Sequence, residues 1–196
     1  MALVTTGRAC VAIGSAAIAV AALGWTACAA PVGEPGRAEP NGLGWIGYLN
    51  ARFGLRVDIP ASGFRRDLSP SGTGLTLTSR DGAISIDVHA NWLAGVLPEA
   101  SRNAGQSIAS LHEQAIAATR QKGGSIATSV RRDDFYVISG TLGSMAYYER
   151  VVISPACPDV FDAIRVKYPQ AIGRELDALV ARMASSLRAV CPPSAE

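Results

Sequence analysis

Histidine is scarce in this chain: His89 and His112 are the only two in 196 residues. Neither stands in an H-x-x-x-H or H-E-x-x-H pattern, so zinc chemistry of that kind has no ligand set. No C-x-x-C occurs. "GTLGSMAY" (140–147) has glycine and serine, but not at the G-x-S-x-G spacing of a nucleophile elbow. "SPSGTGLT" (69–76) is rich in glycine and hydroxyls. It lacks a lysine followed by Ser or Thr and runs into a strand, which excludes a phosphate loop. Charge is also sparse, at 17%. The net charge of +2 gives no reason to expect nucleic acid as a partner. The paired arginines Arg65-Arg66 and the "RRDD" at 131–134 read as solvated turns. His89, on the polar side of a strand, and His112, beside Glu113 on a helix, read as surface or capping residues. Asp133-Asp134 read as a turn, and Glu149 as an exposed strand position. No catalytic residue, metal site or cofactor is implied.

Apolar residues are plentiful, at 48%, and many of them lie at the N-terminus. A single Arg8 precedes "ACVAIGSAAIAVAALGW" (9–25), and no charge follows until Glu34. A basic flank, an apolar run and small residues make a secretory signal, expected over 1–29. Its end, "GWTACAAP", admits two cuts. Ala27 and Ala29 bracket Cys28 in the small-x-small pattern of ordinary signal peptidase. Alternatively, Cys28 follows Thr26-Ala27 as in a bacterial lipobox and becomes the lipid attachment site, with Trp25 where leucine is usual. A membrane association is expected only through such a lipid at Cys28. Of the 18 basic residues Arg8 leaves with the signal, so 17 face 16 acidic ones.

Residues 30–44 are rich in Pro and Gly, lack periodicity and read as a flexible tether. One globular domain is expected over 45–192. Its first strand runs from about Phe53 to Ile59. "GLTLTSR" and "AISIDVHA" alternate around a hairpin turn at Asp81-Gly82. Their polar positions Thr76, Thr78, Ser85, Asp87 and His89 share one side and form the candidate binding face. Ile108, Leu111, Ala115 and Ile116 recur at helical spacing within 99–122, and Gly123-Gly124 supplies the stop. "SIATSV", "FYVISGTL", "SMAYYERVVIS" and "VFDAIRVKY" follow as strands. The third is apolar on both faces and is expected at the centre of a sheet. A terminal helix is expected over 172–190, with Leu176, Leu179, Val180, Met183, Leu187 and Val190 on one stripe. Trp45, Tyr48 and Phe53 read as packing against the sheet.

Short turns between strands imply antiparallel pairing, and doubly apolar strands imply cover on both faces. The expected fold is therefore α+β, a three-layer α-β-α sandwich. Its mainly antiparallel sheet has about six to seven strands, with two main helices. Cys10 leaves with the signal, and Cys28 leaves or is lipidated, so Cys157 and Cys191 remain as an even pair in an oxidising compartment. A nine-residue strand travels ~30 Å and a 19-residue helix returns ~28 Å, which brings the two cysteines level. A structural disulfide Cys157–Cys191 is expected.

"YLNARFGLRVDIP" (48–60), "SRDG" (79–82), "FYVISGT" (135–141), "YYERVVI" (147–153), "RVKYP" (165–169) and "ARMASSLR" (181–188) occur in an order that resembles a family of small secreted alphaproteobacterial proteins. In that family the opening reads Asn-x-Arg-Phe-Gly-Phe followed by Tyr-Pro. Here Leu55 and Ile59-Pro60 keep the burial and lose the rings. The opening also looks like that of the wider PsbP/Mog1-like group. That resemblance implies an α-β-α sandwich and a binding or assembly role rather than an enzyme, and it supplies no catalytic residues. The expectation is a non-catalytic, secreted or lipid-anchored envelope module, periplasmic or beyond. Its partner would be an envelope protein or a small polar ligand. The alternatives are a hydrolase using His89 or Asp87, and a structural envelope component.

Overall fold

A computed structural model describes residues 37–40, 44–97 and 104–191. The expected signal with Cys28, and tether residues 30–36 and 41–43, lie outside the described residues.

Six strands precede the first long helix, where the sequence pattern predicts three. They are β1 (Arg37–Pro40), β2 (Trp45–Asn50), β3 (Leu55–Pro60), β4 (Phe64–Leu68), β5 (Gly74–Ser79) and β6 (Ser85–Trp92). β1 falls within the stretch expected to be tether and pairs antiparallel with β2, Arg37 opposite Leu49. The three unforeseen strands have physical reasons for being silent. β4 is an edge strand carrying Arg65, Arg66 and Asp67, all exposed, so it shows no alternation. β1 is four residues long, and in β2 Gly47 and Asn50 interrupt the apolar alternation that would mark a strand. β3 begins at Leu55, because Gly54 turns the chain at φ +79° just before it.

Helix α1 spans Ala104–Gln121 and stops at Gly123, whose φ of +74° lets the amides of Gly123 and Gly124 cap the last turn. β7 (Ser125–Arg131), β8 (Phe135–Leu142), β9 (Met145–Val152) and β10 (Val160–Pro169) follow as an antiparallel meander. α2 (Gly173–Ser186) and the two-residue β11 (Arg188–Ala189) close the described chain.

The large sheet has seven antiparallel strands in the order β4-β5-β6-β10-β9-β8-β7, and a second sheet has the order β1-β2-β3-β11. α1 carries the chain from β6, inside the sheet, to the far edge at β7, and the meander walks back to β10. The central strand is thus β10 rather than the expected β9. Its first five residues are buried on both faces. β9 is interior, one place from the centre.

Two apolar clusters lie on opposite faces of this sheet. On one face α1 places Ile108 and Leu111 over Tyr136, Ile138, Tyr147, Val151 and Phe161. On the other, α2 and the smaller sheet place Met183, Leu55, Val57 and Ile59 against Leu77, Ile86, Val88 and Ile164. The fold is α+β with helices on both faces of the main sheet, as expected. Tyr48 and Phe53 are buried and Trp45 packs against the same cluster, so all three are core residues.

The terminal helix is shorter than its apolar stripe predicts. It ends at Ser186, where Leu187 turns extended, and Arg188–Ala189 pair with Leu55–Arg56 of β3. The open edge of the small sheet offers backbone partners that a continuing helix could not use. The Ser186 hydroxyl accepts from the Asp58 amide and donates to the Met183 carbonyl, fixing the switch. Val190, expected on the helix stripe, is exposed. Cys157 and Cys191 are nonetheless joined as a disulfide, their Cα atoms 5.5 Å apart.

Candidate functional site

α1 packs chiefly on β7 and β8, reaching Tyr147, Val151 and Phe161 beyond them, and so covers chiefly one half of its face of the large sheet. The other half, on β5, β6 and β10, carries the polar residues singled out from the sequence. Register puts them side by side: Thr76 opposite Asp87, Thr78 opposite Ser85, and His89 opposite Gly74. Arg165 of β10 stands opposite Asp87 on the other side. Thr76 donates to Asp87 Oδ1 at 2.9 Å. A pocket of about 230 Å3 is lined here by Ser69, Thr73, Thr76, Asp87, His89 and Arg165. Thr78 and Ser85 share the face but lie one cross-strand residue pair beyond the pocket lining.

The loop before β5 supplies the pocket's hydroxyl rim. Ser69, Ser71 and Thr73 hydrogen-bond one another at 2.7–3.0 Å. His89 packs edge-on against Phe161, centroids 6.0 Å apart. Burial, and then the neighbouring Arg165 charge, lower its pKa below the ordinary imidazole value. At neutral pH His89 is therefore an uncharged donor and acceptor at the pocket wall.

Sequence reasoning missed Arg165 and its partners. Glu149 is buried, 5% exposed, rather than on an exposed strand position. Its Oε2 accepts from Arg165 Nε, and its Oε1 accepts from the Tyr136 hydroxyl at 2.6 Å. The exposed-position reading failed because alternation along β9 shows which residues share a face, not which face α1 covers. Burial works against the Arg165 charge, but Glu149 outweighs it and holds the guanidinium protonated. Burial and the Glu149 carboxylate raise the Tyr136 phenol above its ordinary value. His112 is also corrected from a surface position. It is buried on the sheet-facing side of α1, with Nε2 2.8 Å from Ser129 Oγ and its ring 5.2 Å from that of Tyr136.

On the opposite face Asp162 is fully buried between Ala90 and Val152 of the flanking strands. Among the described residues neither carboxyl oxygen has a hydrogen-bond partner, and burial pushes its pKa up to about 8. Period 2 along β10 places Asp162 on the apolar face of Val160, Ile164 and Val166, a signal of burial that sequence reasoning missed. Among the described residues no cluster of three His, Cys, Asp or Glu side chains is placed to hold a metal ion. No described helix is long and apolar enough to cross a membrane.

The arrangement is a PsbP-like fold with an open polar face on one side of its sheet. The chain is similar in structure to cyanobacterial PsbP (CyanoP) from Synechocystis sp. PCC 6803, with a TM-score of 0.54 and 12% identity. The match covers 82% of this chain and 100% of that one. No protein-family profile matches the sequence, and no curated protein does.

Proposed function

We propose that this protein is an exported, non-catalytic binding module of the cell envelope, and that it holds a small polar ligand on the open face of its sheet. The convergence of Thr76, Asp87, His89 and Arg165 on the part of the sheet that α1 leaves uncovered carries this reading. A pocket with a few convergent polar groups is the usual form of a small-molecule site. The ionisable groups there are engaged in holding geometry. Asp87 accepts from Thr76, Glu149 from Tyr136 and Arg165, and His89 packs edge-on against Phe161. Export is supported by the Cys157–Cys191 bond, since such bonds persist in oxidising compartments. The signal over 1–29, with Cys28 as the alternative lipid site, completes the proposal.

Native mass spectrometry of the protein purified from the envelope tests the reading. A bound small molecule is expected on the wild type and should be lost in the Thr76→Val/Asp87→Asn double variant. Turnover of an ester, glycoside or phosphoester panel that vanishes with His89→Ala would replace the module with a hydrolase.

A further inference from the structure

The open side of the sheet continues past Arg165. Between the C-terminal half of α1 and the adjoining ends of β9 and β10 runs a groove of about 190 Å3. Ala115 and Ala118 of the helix face Leu142, Met145 and Ala146 of the β8–β9 hairpin across it. Alanine is the reason the groove exists. Interiors are ordinarily close-packed, and a larger side chain at either helix position would fill the gap.

Four charged residues line it: Lys122, Lys167, Arg165 and Glu149. Arg165 and Glu149 are bonded to each other and cancel. Lys122 and Lys167 are exposed, and among the described residues neither has an acidic partner. Apolar walls with two uncompensated cations at the mouth suit one ligand chemistry better than any other. A purely polar solute would leave the alanine and leucine surface wet, and a neutral hydrocarbon would leave the lysines unused.

We propose that this groove binds a small amphipathic carboxylate. Its hydrocarbon tail lies against Ala118, Leu142 and Met145, and its carboxylate is held by Lys122 and Lys167. The proposal rests on the binding-module reading and deepens it, because Arg165 lines both the groove and the polar pocket. The two cavities then lie on either side of the Arg165 side chain, a polar one on β5–β6 and an apolar one beside α1.

Three probes decide it by amide shifts of the 15N-labelled exported protein: octanoate, octyl β-glucoside and acetate. Octanoate should give saturable shifts at Thr119, Leu142 and Ala146 with a Kd below about 1 mM. The glucoside has the tail without the charge and acetate the charge without the tail; each should bind at least about tenfold more weakly. Lys122→Gln/Lys167→Gln should weaken octanoate about tenfold and leave the glucoside unchanged. Ala118→Trp, at an exposed helix position, should weaken both. Unchanged thermal unfolding of the variants separates lost binding from lost structure. Equal affinity for octanoate and the glucoside, shifts that never saturate, or a lysine double variant that binds like wild type would overturn the proposal. Such a failure leaves the polar-pocket reading standing, because that reading is tested through Thr76 and Asp87, which lie outside the groove.

Discussion

Asp162 is a carboxyl group without solvent and without a hydrogen-bond partner among the described residues. Its native pKa of about 8 lies above the unfolded value near 3.9, so the folded state binds its proton more tightly. Stability from this group is fully present below about pH 4 and is lost as pH rises toward 8, by up to about 1.4 kcal/mol per pH unit. Asp162→Asn should abolish that slope. Urea midpoints from pH 4 to 8 would then diverge between the two proteins, the variant gaining steadily. Parallel curves would show that the carboxyl finds a partner in solution. Glu149 makes the opposite case, a buried carboxylate with two donors. Tyr136→Phe removes one of them and should cost about 1–2 kcal/mol in urea unfolding. Glu149→Ala strands Arg165, but that side chain is 41% exposed and its guanidinium can turn to water. The loss should therefore fall to about 1–3 kcal/mol, below that of a sealed pair. An unchanged midpoint in Tyr136→Phe would mean that its hydroxyl contributes nothing to holding the carboxylate.

At the scale of elements the telling feature is the tail after α2. β11 is held by the β3 edge, by the Val190 amide donating to the Gly54 carbonyl, and by the disulfide at Cys191. Gly54 sits at φ +79°, and a Cβ there would overlap the Val190 carbonyl. Gly54→Ala should therefore loosen the tail, seen as faster reduction of the Cys157–Cys191 bond by dithiothreitol; an unchanged rate would argue against the close approach. Closing a loop with sequence separation 34 should stabilise by ~3–4 kcal/mol, so Cys157→Ser/Cys191→Ser should lower the unfolding free energy by that amount. The cysteine pairing was legible from the even count and from matched path lengths. The return path is a 14-residue helix and an extended tail rather than a 19-residue helix. Helical period continued past Ser186 because the last apolar residues suit either conformation, and the empty edge of β3 chose the strand. The hairpin at Asp81-Gly82 and the stop at Gly123 were legible because positive φ is a local demand; φ there is +72° and +74°. The edge strands β1 and β4 were not, since neither shows an alternating apolar face.

At the scale of the whole molecule, the proposed export makes its own prediction. Intact mass of the protein purified from whole cells, with thiols blocked at lysis, should show loss of a leader ending near residue 29. In the lipoprotein case it should instead begin at Cys28 with a diacylglycerol increment. Either mass should be lower by two hydrogens for the Cys157–Cys191 bond. A full-length, reduced mass would refute export. The candidate polar face was legible as a set, because Thr76, Thr78, Ser85, Asp87 and His89 alternate with buried residues on two strands joined by a recognisable turn. What it faces was not. Local pattern, cysteine count and turn chemistry by themselves determined the layered α+β class, the helix positions and the sulfur pair, since each depends on neighbours close in sequence or on simple length. Only the tertiary structure decided that β10 is central, that Arg165 stands between Asp87 and Glu149, and that α1 stops short of β5 and β6. Strand order is set by how distant segments share buried area, and nothing within one strand encodes the partner that lies beside it.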